Sequence, residues 1–173
     1  MANKQALRDL QSRLAERLQA ARSQARGKSW LAVESSGRGF LLPLGEAGEI
    51  FAMAPIMPVP HSNRWFLGVS NLRGHLHGVV DLAAFLDIKG TAPTREQQSR
   101  LVGFNQALDV NCVLMVDRLS GLRGEEELSA LPTEGGQRPA FVGERLRDGS
   151  GRVWQELLLS ELVSDEAFLK IVD

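Results

Sequence analysis

The sequence contains no tyrosine, one cysteine and three histidines, and its aromatic residues total only 6%. Its core must therefore be aliphatic. The single Cys112 excludes an internal disulfide and suits a reducing cytoplasm. Flanked by Val110, Val113 and Leu114 with no activating base nearby, it reads as a buried, inert thiol. No apolar stretch reaches membrane length, and the N-terminus lacks the uninterrupted apolar core of a signal peptide. The expected compartment is the cytoplasm, with no membrane insertion. A net charge of −1 argues against broad nucleic-acid or membrane-surface binding. No P-loop or metal box is present. A hydrolase using Ser70, a histidine and Asp81 is disfavoured because no Gly-x-Ser-x-Gly elbow exists: Leu72 stands at the second glycine.

What is present is unevenly distributed. At 173 residues the chain is one domain or two small subdomains with a real core. Residues 1–28 carry Lys4, Arg8, Arg13, Arg17, Arg22, Arg26 and Lys28 against Asp9 and Glu16, a net of +5, so the remainder sums to −6. This is a basic head on an acidic body. Within it, Leu7, Leu10, Leu14, Leu18, Ala21 and Ala25 recur at steps of three and four, and Gly27 follows, predicting a helix over 3–26. Such a helix either packs on or is loosely tethered to the domain, or it docks and dimerises.

Beyond Lys28 the period becomes strand-like. Residues 30–34 and 40–44 predict a hairpin about the turn 35–39, and 45–51 either a short extended segment or half a turn of helix. Pro55, Pro58 and Pro60 lack the N–H donors of a ladder, so 55–60 is an extended edge. Strands follow at 66–72 and 75–81, with a turn of helix at 82–86. The polar segment 90–99 reads as a linker between two runs of strands. The second run is predicted at 100–104, 110–116, 119–122, 141–146 and 153–159, with 132–139 a loop. Residues 160–172 predict a terminal helix capped by Ser160 or Ser164. Glu125, Glu126 and Glu127 read as a solvated turn. Many short strands in two runs imply small barrels or sandwiches.

The segment from Phe66 to Leu82 is the most informative. Asn71 and Gly74 suit a tight reversal. Beyond it Leu76, Val80 and Leu82 alternate with His75, His77, Val79 and Asp81. The segment builds a sheet and displays one charge, Arg73, at an exposed tip, which points to recognition rather than chemistry. A bracing role for Arg73 requires a cross-strand carboxylate, since Asp81 lies too far along one strand. A metal site at His75 and His77 lacks a third ligand.

These residues resemble the chemotaxis coupling family, the CheW-like domain. The carrier is Gly68-Val69-Ser70-Asn71-Leu72-Arg73-Gly74 followed by Val79-Val80-Asp81-Leu82. Phe40-Leu41-Leu42-Pro43-Leu44 with Glu49-Ile50, Val59-Pro60, and Val116-Asp117-Arg118-Leu119-Ser120-Gly121-Leu122 are similar to further family strands. The spacing 44–50 and the charged helix also resemble PilI-type members of type IV pilus chemosensory systems. The family usually has an apolar residue and proline where His77 and Gly78 stand.

The resemblance implies a mostly β fold of two intertwined five-stranded, barrel-like (SH3-like) subdomains, with an N-terminal helix and a short C-terminal one. The expected organisation is a basic helical extension, 1–28, and a CheW-like domain, 29–173. The implied function is a non-catalytic adaptor in a chemotaxis or twitching-motility pathway, without cofactors. It would join a methyl-accepting chemoreceptor's cytoplasmic tip to the regulatory domain of a CheA-like histidine kinase. By motif position, Gly68, Asn71 and Arg73 belong to the recognition loop, Ala47 and Glu49 to a partner edge, and Leu119 and Leu122 to a groove between subdomains. The rival is a small barrel that binds a ligand or metal, or catalyses, through His75 and His77.

Overall fold

A computed structural model describes residues 2–24, 27–90 and 98–173. It is built from two β-sheets. The N-terminal helix α1 (Ala2–Gln24) precedes β1 (Ser29–Ser35), β2 (Arg38–Pro43), β3 (Ala47–Ala52), β4 (Phe66–Leu72) and β5 (His75–Asp81). After the single turn α2 (Leu82–Phe85) come β6 (Arg100–Phe104), β7 (Cys112–Val116), β8 (Arg118–Gly124), β9 (Leu128–Ala130), β10 (Val142–Asp148) and β11 (Val153–Leu157). The chain closes with two one-turn helices, α3 (Leu159–Leu162) and α4 (Glu166–Leu169). The expected mostly β fold with an N-terminal helix is what forms, with two one-turn helices at the C-terminus where one short helix was expected.

The first sheet has the order β8-β1-β2-β11-β10-β9 and the second β3-β6-β7-β5-β4. The short β9 gives the first sheet a sixth strand where five were expected. The chain leaves the first sheet after β2 and returns to it at β8. The segment 90–99, expected to separate two runs of strands, instead joins two strands of one sheet, and its residues 91–97 lie outside the described residues. Two parallel pairs, β11 with β2 and β5 with β7, join strands far apart in sequence.

Three apolar clusters account for this layering. Trp30, Ala32, Leu41, Leu146 and Trp154 fill one side of the first sheet, and Leu72, Val79, Leu101 and Val113 one side of the second. Between the sheets lie Leu31, Val33, Phe40, Leu42, Val80, Val102 and Leu114. Alternate residues of β1, β2, β5, β6 and β7 thus enter different clusters. This explains why Trp30 to Val33 read as a continuous apolar run: both faces are covered. Removing either face of such a strand would cost about 1.5–3 kcal/mol per buried side chain.

The terminal helix differs from expectation. It breaks at Ser164-Asp165, and neither Ser160 nor Ser164 caps it. The Asp165 side chain accepts from the N–H groups of Ala167 and Phe168, and the Ser160 N–H donates to Glu46 Oε1 at 2.7 Å. An ionised carboxylate is the better acceptor for free helix donors. The helix over 3–26 is present as far as Gln24, but its Leu7, Leu10, Leu14 and Leu18 are 52–63% exposed. Its described side chains, residues 5–18, are exposed throughout, and residues 25 and 26 lie outside the described residues.

Candidate functional site

The β4–β5 hairpin turns through Arg73 and Gly74 alone, with Leu72 paired to His75. Both turn residues have positive φ, 52° and 82°, the handedness that matches strand twist in a two-residue hairpin. Asn71, expected within the reversal, stays in β4. Its Oδ1 instead accepts the Gly74 N–H at 2.9 Å and pins the turn. The segment therefore fixes the Arg73 Cα while leaving its side chain 72% exposed.

Arg73 is not without a counter-charge, contrary to the reading of a lone arginine at the tip. Its guanidinium forms an ion pair with Glu49 on β3 and lies 5.8 Å from the Phe51 ring centroid. The cross-strand carboxylate that a brace requires is thus present. Glu49 is 46% exposed, however, and such a pair contributes only about 0–1 kcal/mol. The two sequence-derived groups, the Arg73 turn and the β3 edge, are one surface. Phe51 belongs to it too: it points to the same side as Glu49 by strand alternation and holds the His77 ring at 5.7 Å. The Glu49-x-Phe51 spacing was the available signal for it.

A cavity of about 660 Å³ opens beside this pair, lined by Glu49, Phe51, Arg73, His75, His77 and Asp109 among others. The histidines do not converge on a metal site. His77 Nδ1 lies 3.0 Å from the His75 carbonyl, and among the described residues no three His, Cys, Asp or Glu side chains are grouped to hold an ion. Asp81 accepts the Ala84 N–H and caps α2. Cys112 is buried, and loss of solvation raises its thiol pKa to about 12.

The remaining site candidates fall elsewhere. Gly68 is buried with φ +138°, and a Cβ there would sit 2.1 Å from the Met57 carbonyl oxygen. Its absence of a side chain lets the proline-bounded segment reach β4, where Met57 and Val69 exchange two backbone hydrogen bonds of 2.8 and 2.9 Å. Gly68 shapes this hairpin. Ala47 is half-buried on β3, against the inter-sheet core. Leu119 packs against that core from β8, whereas Leu122 on the same strand is exposed. Strands β3 and β8 are edge strands, with β4 and β9 at the opposite edges of their sheets, and edges are where another chain can add.

Sequence reasoning missed a second polar cluster. Glu34 of β1 is largely buried and paired with both Arg118 and Arg152, the latter at 2.5 Å. Burial pushes the Glu34 carboxyl pKa up, but hydrogen bonds and charge from Arg152 and Arg118 outweigh it and hold the carboxyl below its ordinary value. Arg152 also lies 4.5 Å from the Trp154 ring centroid. These contacts lock β8 and the β10–β11 turn to β1.

Residues 29–167 match the family model of the CheW-like domain. The protein PilI of Pseudomonas aeruginosa is 34% identical over 111 residues, which cover 64% of this chain and 61% of PilI. The chain thus spans less than two thirds of that relative's length. A chemotaxis protein CheW of Rhizobium meliloti is 29% identical over 114 residues, 62% of this chain and 67% of that one. The crystal structure of the scaffolding protein TtCheW from Thermoanaerobacter tengcongensis superposes with a TM-score of 0.60 at 17% identity, covering 76% of this chain and 88% of that chain. That likeness speaks to the fold alone.

Proposed function

The chain belongs to the CheW-like domain family, and on that premise we propose that it is a non-catalytic adaptor in a chemosensory pathway. It joins the cytoplasmic tip of a methyl-accepting chemoreceptor to the regulatory domain of a CheA-like histidine kinase. Residues 29–173 form the coupling domain and 1–28 an appended helix. The similarity to PilI supports a pathway that drives twitching motility.

The observation that carries this reading is the Arg73–Glu49 pair on the free β3 edge. A rigid two-residue turn presents a guanidinium whose own ion pair is weak enough to be extended or exchanged. A partner carboxylate meeting that fork would make a charge-assisted contact of about 1.5–3 kcal/mol. Affinity would come from exposed apolar residues such as Ile50 on the β3 edge and, on the separate edge of the other sheet, Leu122 on β8. Calorimetric titration of wild type, Arg73→Ala and Arg73→Glu against the kinase's regulatory domain, and separately against a receptor tip, tests this. The expected loss is about tenfold or more for Arg73→Ala with one partner, and more for Arg73→Glu, which also repels Glu49. Unchanged binding of both partners by both variants would reduce Arg73 to a brace.

A further inference from the structure

Among the described residues, Glu156 on β11 is the most deeply buried acid or base, 7% exposed. Its Oε2 accepts the Trp30 indole N–H at 2.7 Å. Its Oε1 receives, among the described residues, only the backbone N–H of Glu144, at a long 3.3 Å. Glu34 is held by two arginines, whereas among the described residues no lysine or arginine pairs with Glu156. Burying a carboxylate is costly without a counter-charge, so this group is poised to receive a cation.

That carboxylate lines a cavity of about 640 Å³ at one end of the first sheet, where β1, β2, β11 and β10 lie side by side. Trp30 and Gly143 line it too. A Cβ at Gly143 would sit 2.3 Å from Glu156 Oε1, so a larger residue there would displace the carboxylate. The other charges of the lining offset one another, Glu46 and Glu144 against Lys28 and Arg138. Glu46 already accepts the Ser160 N–H, and Lys28, Arg138 and Glu144 are exposed. The inner wall therefore carries one uncompensated negative charge beside an indole. Because Trp30 occupies Oε2, Oε1 is the oxygen left to a ligand. A compact ammonium suits it better than a guanidinium fork, which needs both oxygens.

We propose that this cavity binds a primary ammonium group, seated on Glu156 Oε1 beside the Trp30 indole. The site stands apart from the adaptor role and from the Arg73 surface. Heteronuclear NMR of the full chain tests it, because the indole N–H of Trp30 reports directly on the Glu156 carboxylate. Titration with n-butylamine should move that signal saturably, in the millimolar range, while the indole signals of Trp65 and Trp154 stay in place. The neutral isostere n-butanol should leave all three unmoved. A parallel titration with Nα-acetyl-lysine amide distinguishes the sources: tighter binding than n-butylamine assigns the site to a lysine side chain of a partner protein, weaker binding to a free amine. Glu156→Gln keeps an acceptor for Trp30 but removes the charge, and should weaken binding by at least about tenfold. Arg138→Ala removes a like charge from the exposed rim and should tighten it about twofold. A thermal melt verifies that Glu156→Gln folds, and the exposed Arg138 variant carries the test if it does not. The proposal is overturned if neither amine moves the Trp30 signal saturably, or if n-butanol moves it equally. Wild-type binding by folded Glu156→Gln, or weaker binding by Arg138→Ala, overturns it as well.

Discussion

Replacing Gly68 by alanine separates a shaping role from a contact role at this position. Two costs add. A side chain at φ +138° strains the backbone by about 1–2 kcal/mol. The new Cβ also cannot lie 2.1 Å from the Met57 carbonyl oxygen, so the segment must retreat and break both Met57–Val69 hydrogen bonds. At about 1 kcal/mol each, these bring the total to roughly 3–4 kcal/mol. In a domain of this size that lowers Tm by roughly 6–16 °C. Gly74→Ala is the internal control. Its φ is +82° but nothing lies within 4 Å of the added Cβ, so only the backbone strain of about 1–2 kcal/mol applies. Differential scanning calorimetry of both variants reads the gap. If Gly68→Ala melts with Gly74→Ala, the Met57 contact is not what this glycine serves.

Deleting residues 1–27 should leave a cooperative melt shifted by only a few degrees, about 1 kcal/mol, because residues 5–18 are exposed throughout; loss of the transition in a thermal scan would show otherwise. Glu34 is depressed below its ordinary 4.5. Its stability contribution is therefore full above that pH and is lost as pH falls through the lower folded value. Urea titrations should show Glu34→Gln destabilised by about 2 kcal/mol at neutral pH, with the gap to wild type closing in acid. Cys112, raised from 9.0 to about 12, should react with a thiol-specific reagent at mildly alkaline pH about a thousandfold more slowly than an ordinary cysteine. Denaturant should remove that protection.

The Phe66–Leu82 hairpin was legible because its signals are local: a Gly-bearing turn between runs of period two, with Arg73 alone at the tip. The 100–104 strand was equally plain. Other features depend on neighbours remote in sequence. Val79 and Val80 are both buried because each face of the second sheet is covered by its own apolar cluster, and this erases the alternation that Leu76, Val80 and Leu82 suggested. The insertion of β11 between β2 and β10 has no local signature. Nor does the three-residue β9, whose Leu-Ser-Ala is too short to show a period. The Arg73–Glu49 pair joins opposite edge strands, β4 and β3, of the second sheet, so each residue was picked out separately and their meeting was not. For α1, spacing revealed the leucine stripe but carries no information about whether anything covers it.

On the adaptor reading, one chain holds a receptor tip and a kinase regulatory domain together through separate surfaces. The direct measurement is a calorimetric titration of the receptor tip into this chain already saturated with the CheA-like regulatory domain, compared with the same titration into the chain alone. The expected result is that both partners bind, that the second does so without displacing the first, and that Arg73→Glu weakens binding of at least one. Failure of either partner to bind, or mutual displacement at a shared surface, would contradict it.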